Sequence, residues 1–98
     1  MKATQLFRYR ATQGRVLVEM VIWALPAASD DRRHHGLKYR LYCGEPGRCI
    51  VRYDNEAGKG DHRHYDGDPE QAYRFESVDR LLADFRDDCA RLAGWRWE

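Results

Sequence analysis

The sequence predicts an α+β fold: an antiparallel sheet of about five strands with one C-terminal α-helix packed across one face. Three observations carry that expectation. Successive stretches alternate in polarity or are dense in β-branched and aromatic residues, as strands are. Turn residues separate them, and one amphipathic stripe at helical spacing closes the chain. With 98 residues and 43% hydrophobic content, the chain can bury one modest core, so residues 1–98 are expected to form a single domain.

The first strand is expected at Leu6-Phe7-Arg8-Tyr9-Arg10, with Phe7 and Tyr9 on one side and the two Arg on the other. Thr12-Gln13-Gly14 reads as a turn. Arg15 to Leu25, "RVLVEMVIWAL", is apolar on both faces apart from Glu19, which suits an inner strand rather than a solvated edge. Glu19 is expected to reach water or a neighbouring Arg. Pro26 ends that strand, and Ala27 to Gly36 is a polar loop containing His34 and His35.

Leu37 to Cys43 alternates again, with Leu37, Tyr39 and Leu41 opposite Lys38 and Arg40. Glu45-Pro46-Gly47 is a strong turn signal before the next strand, Arg48 to Tyr53. Asp61 to Tyr65 is the fifth strand. Its alternation sets His62 and His64 on one face and Arg63 on the other. Ser77 can cap a helix whose stripe is Val78, Leu81, Leu82, Phe85, Cys89 and Leu92, with Gly94 placed to end it. A helix striped on one side needs a sheet to cover. Trp95 and Trp97 follow it, free to fold back over the sheet or to dock on another chain.

Composition excludes several classes. No apolar run is long enough for a membrane span, and the N-terminus lacks a basic-then-apolar signal pattern. A cytoplasmic protein is therefore expected. Its three Cys (Cys43, Cys49, Cys89) include no CxxC pair, which suits reduced free thiols. The net charge of +1 conceals an uneven layout. Arg32 to Tyr65 holds eight Lys/Arg against four acids and all four His, whereas Asp66 to Glu98 holds five Arg against nine acids. A basic, His-bearing middle points to an anionic partner, although charged faces are usually just solvated.

The most unusual stretch is Asp54 to Tyr65, "DNEAGKGDHRHY". A plain turn needs its glycines and can use its Asn, but has no need of its imidazoles. Together with "VEMVIWALP", "KYRLYCGEPGRCIVRYDN" and "YRFESVDRLLADF", it resembles the TumE family of bacterial toxin components over about Phe7 to Leu92. The string from Tyr53 to His64 is the most specific part. Two positions depart from the family pattern: Ala72 stands where a Pro is frequent before Tyr73-Arg74-Phe75, and Asp66 to Glu70 is unusually acidic. The resemblance implies the toxin of a type II toxin–antitoxin pair, with a helix-turn-helix antitoxin as partner and a presumed action on RNA.

The residues suit that chemistry. Metal-free RNA cleavage needs a base for the ribose 2′-OH, an acid for the departing 5′ oxygen and positive charge around the phosphate. Imidazole, with an ordinary pKa of ~6.5, can act in either role. His62 and His64 are the expected acid/base pair, roughly 6–7 Å apart by strand rise. Lys59 and Arg63 are candidate phosphate ligands, although Arg63 points away if the strand is regular. Gly58 and Gly60 would open backbone N–H groups to a phosphate, and Arg40 and Arg52 are candidate RNA contacts. No cofactor or metal is expected. Three alternatives stay open: a solvated hairpin loop without function, a non-catalytic module binding protein or nucleic acid, and a metal site using His62 and His64 with Asp61 or with His34 and His35. A homodimer also stays open.

Overall fold

The computed structural model describes residues 3–26, 35–55 and 60–97. Among these residues six antiparallel strands lie in sequence order: β1 (Thr4–Gln13), β2 (Val16–Ala24), β3 (Leu37–Glu45), β4 (Arg48–Asp54), β5 (His62–Tyr65) and β6 (Gln71–Ala72). One helix, α1 (Val78–Ala93), follows. The class is the expected α+β, with one strand more than anticipated. That strand is only two residues long and pairs His62 with Ala72 and Arg63 with Gln71; so short a segment has no periodicity to read.

Register separates the two faces. Ile22, Met20 and Val18 of β2 stand opposite Tyr39, Leu41 and Cys43 of β3, and Leu41 and Cys43 stand opposite Tyr53 and Val51 of β4. These residues point to one side and are buried with Leu81, Phe85 and Cys89 of α1. The alternate residues form the other side. Burying apolar area at ~25 cal/mol per Å² is the main favourable term here, and α1 supplies the cover.

The helix starts and stops where its end residues dictate. Ser77 Oγ accepts the Arg80 N–H at 3.0 Å, satisfying one of the donors that a helix start leaves free. Gly94 adopts φ +68, a left-handed conformation that glycine enters without steric cost. The tail then folds back. Trp95 is buried, Trp97 packs on Tyr9 with ring centroids 5.6 Å apart, and the Gln13 side-chain amide exchanges hydrogen bonds with the Arg96 backbone at 2.8 and 3.0 Å.

Polar groups fix the helix to the sheet. Asp88, 5% exposed, accepts hydrogen bonds from the hydroxyls of Tyr53 and Tyr65, each at 2.6 Å, and from Arg91 at 2.7 Å. Tyr73 donates to Asp84 at 2.7 Å. Asn55 was expected to shape a turn, but it is 2% exposed and bridges strands instead. Its Oδ1 accepts the Tyr39 N–H at 2.9 Å and its Nδ2 donates to the Leu37 carbonyl at 2.8 Å. Cys43, Cys49 and Cys89 are free thiols.

Candidate functional site

The uncovered face of the sheet collects charge. One row across it runs Arg10, Glu19, Tyr42, Arg52, His64 and the next runs Arg8, Val21, Arg40, Asp54, His62, Ala72. Trp23 and Lys38 form a third pair. No helix or strand among the described residues covers this surface. Lys38 sits over the Trp23 ring at 5.4 Å and Arg40 over the Tyr42 ring at 5.3 Å. Arg10 meets Glu19 at 3.4 Å, whereas Arg8, Lys38 and Arg40 have no acidic partner among the described residues. A recess of about 250 Å³ opens between Lys38, Arg40, Asp54 and Asn55.

The two imidazoles lie on this face, at its β5 end, in unequal surroundings. His62 is 7% exposed. Its Nε2 is 2.5 Å from Asp54 Oδ1 and 3.1 Å from Glu70 Oε2. Its Nδ1 is 3.1 Å from the Gly60 carbonyl. Arg52 closes the group, reaching Asp54 at 3.1 Å and Glu70 at 3.3 Å. His64, opposite Arg52, is half-buried, and its Nδ1 is buried without a hydrogen-bond partner among the described residues. No hydrogen bond from the described residues engages its Nε2 either, which leaves that atom open. Two of the three buried polar side-chain atoms that lack a partner among the described residues, Asp54 Oδ1 and His64 Nδ1, lie in this small region.

The family model described as Toxin TumE matches residues 2–93. The chain belongs to the TumE toxin family. The search of curated proteins and the search of solved structures returned no match. The TumE match spans all six strands and the whole of α1 and stops just before Trp95 and Trp97.

Within this TumE chain the site residues singled out from sequence are dispersed. His62, His64, Arg40 and Arg52 share the uncovered face. Arg63 is on the helix side, where its guanidinium lies near the rings of Tyr53, Tyr65 and Tyr73 and its Nε donates to Gln71 at 3.1 Å. Gly60 adopts φ +75 and contributes its carbonyl to His62. Lys59 and Gly58, with His34, lie outside the described residues.

Asp61 does not join His62 and His64. Its carboxylate meets His35 Nε2 at 2.9 Å and accepts from the Tyr39 hydroxyl at 2.7 Å, and His35 stacks on Phe75 with centroids 4.0 Å apart. Burial, and then that bond to Asp61, push the Tyr39 hydroxyl well above the usual tyrosine range. This cluster ties the loop before β3 to the start of β5 and is structural.

Sequence reasoning missed Asp54 and Glu70 as partners of His62. Asp54 reads as a turn residue from its neighbours Asn55 and Gly58. The cross-strand pairing of β4 with β5 would have revealed it, since Asp54 opposes His62 directly. Glu70 carried no signal, because its approach depends on the short β6.

Proposed function

We propose that this toxin cleaves RNA bound on the uncovered sheet face, with the His62/His64 end as the reacting site. The observation that carries the reading is the surface itself. Arg8, Lys38 and Arg40 stand without acidic partners among the described residues, beside Trp23 and Tyr42; the row of Arg8 and Arg40 leads through Asp54 to His62, and the row of Tyr42 leads through Arg52 to His64. Unpaired cations follow a phosphate chain, and aromatic rings at a surface, here the half-buried Trp23 and Tyr42, stack on bases. The pattern is that of a single-strand binding platform.

The roles at the reacting end differ. His64, whose Nε2 is open, is suited to take the proton from a ribose 2′-OH. The 2′ oxygen then bonds to the neighbouring phosphorus, and the bond from phosphorus to the 5′ oxygen breaks. The departing oxygen requires a proton or positive charge, which the His62, Asp54, Glu70 and Arg52 group would supply. Arg40 and Arg52 serve as phosphate contacts, with Lys59, Gly58 and Gly60 as further candidates. Arg63, on the helix side, holds tyrosines rather than substrate.

Toxins of this family are partnered by an antitoxin, here taken to be a helix-turn-helix protein that shields the cationic face. The site of action is taken to be the cytoplasm, where such a partner and RNA both reside. No helix among the described residues is long and apolar enough to cross a membrane. A rival reading is favoured by one feature: both nitrogens of His62 are already engaged, as in a purely structural imidazole. In that case the face binds RNA without cutting it. Purified protein on end-labelled RNA, with and without EDTA, decides. Cleavage leaving a cyclic phosphate, reduced about 10²–10⁴-fold in His64→Ala, supports the reading. Tight RNA binding with intact RNA at every protein concentration supports the rival.

A further inference from the structure

Asp54, His62 and Glu70 converge on one point. One ligand atom from each lies within 4.8 Å of the others. The Gly60 carbonyl, which can only accept, faces His62 Nδ1 at 3.1 Å, so Nδ1 carries a hydrogen. Nε2 then meets two carboxylate oxygens at 2.5 and 3.1 Å. A bare nitrogen lone pair there would repel both, so a proton or a cation belongs between Nε2 and these oxygens; Arg52 reaches Asp54 Oδ2 and Glu70 Oε2 but not Asp54 Oδ1. Alignment disfavours a simple proton: Asp54 Oδ1 is buried and finds no hydrogen-bond donor among the described residues despite the short contact with Nε2.

From this geometry we propose that Asp54, His62 and Glu70 hold a first-row divalent cation of the zinc or manganese type. One imidazole with two carboxylates is a familiar donor set for such ions. The surroundings match as well. A metal-ligating imidazole usually donates its other N–H to a carbonyl, as His62 does to Gly60. Arg52 contacts the other Asp54 oxygen, Oδ2, at 3.1 Å and leaves Oδ1 to the ion. Two carboxylates against one guanidinium keep the pocket anionic. Three protein ligands also leave a coordination position for water or a phosphate oxygen. The site departs from the expected metal-free chemistry, and it rests on the RNA reading only for its purpose.

The test uses the full chain, stripped with chelator and titrated with zinc and, separately, manganese by calorimetry, without RNA. The expected result is about one ion per chain, with affinity lowered at least tenfold in His62→Gln and Glu70→Gln and by a lesser factor in Arg52→Met. Glu70 is exposed and outside the core, so its substitution reads the site even if His62→Gln fails to fold. No binding of either ion, or binding that survives Glu70→Gln and is lost in Cys49→Ser, overturns the proposal. RNA cleavage by the stripped protein keeps the two ideas apart. Cutting without any ion binding removes this site and leaves the nuclease, whereas one bound ion without cutting does the reverse.

Discussion

The two faces of the sheet use the same residue types for opposite ends. Beneath α1, tyrosines and carboxylates are joined: Tyr53 and Tyr65 to Asp88, Tyr73 to Asp84. Each hydroxyl has a designated acceptor, as burial demands. On the uncovered face Arg40 lies over Tyr42 and Lys38 over Trp23, and neither cation has an acidic partner among the described residues. Charge left unpaired at a surface is free to bind something else, while charge paired under a helix is committed to holding it. Substitutions on the two faces should therefore fail in different ways.

The largest effect is expected from Phe85→Ala. Phe85 is fully buried and packs edge-on to Tyr53 with centroids 5.7 Å apart. Its removal should cost about 3–5 kcal/mol in denaturant unfolding. Next comes Asp88→Ala, which strips the acceptor from two tyrosine hydroxyls at a cost of roughly 1–3 kcal/mol for each one left unsatisfied. If Asp88→Ala proved neutral, the covered face would be held by apolar packing alone.

The tyrosines also set an alkaline limit. Burial, reinforced by carboxylate neighbours, raises the ionisation of Tyr39, Tyr53, Tyr65 and Tyr73 above the usual tyrosine value. A group whose folded pKa is raised contributes fully below its unfolded pKa and gives up that contribution as pH climbs. Stability should hold up to about pH 10 and fall beyond it. The tyrosinate absorbance of these four should rise together with unfolding, not before it. The smallest change is expected from Arg10→Ala, because Arg10 is exposed and its partner Glu19 is only half-buried, and ion pairs at a surface are worth about 0–1 kcal/mol.

Much of this division was legible in the sequence. Alternation placed Phe7 and Tyr9 opposite Arg8 and Arg10, and Leu37, Tyr39 and Leu41 opposite Lys38 and Arg40; the register agrees. Ser77 and Gly94 bounded the helix because caps are local chemistry. Long-range pairing was hidden. Asp88 is one of several acids in the helix sequence, yet it follows Phe85 and Leu81 at helical spacing, within the apolar stripe. A carboxylate in that position signals a buried partner. The Asp54–His62–Glu70 group was hidden for another reason: it depends on which strand lies beside β5, and on the two-residue β6 that brings Glu70 near. The same sequence logic that put His62 and His64 on one face gave no hint that one would be enclosed by acids and the other open.

The central claim is that RNA lies on the uncovered face. Its most direct test compares equal charge removal on the two sides. Lys38→Ala with Arg40→Ala should leave stability within about 0.5 kcal/mol while weakening RNA binding. The same pair should lower the slope of log affinity against log salt by roughly 0.7 for each single-strand phosphate no longer neutralised. Arg80→Ala with Arg86→Ala, both on α1, should leave RNA binding and its salt slope unchanged. Equal weakening by the two pairs would mean that RNA responds to net charge and not to this face, and the account would fail.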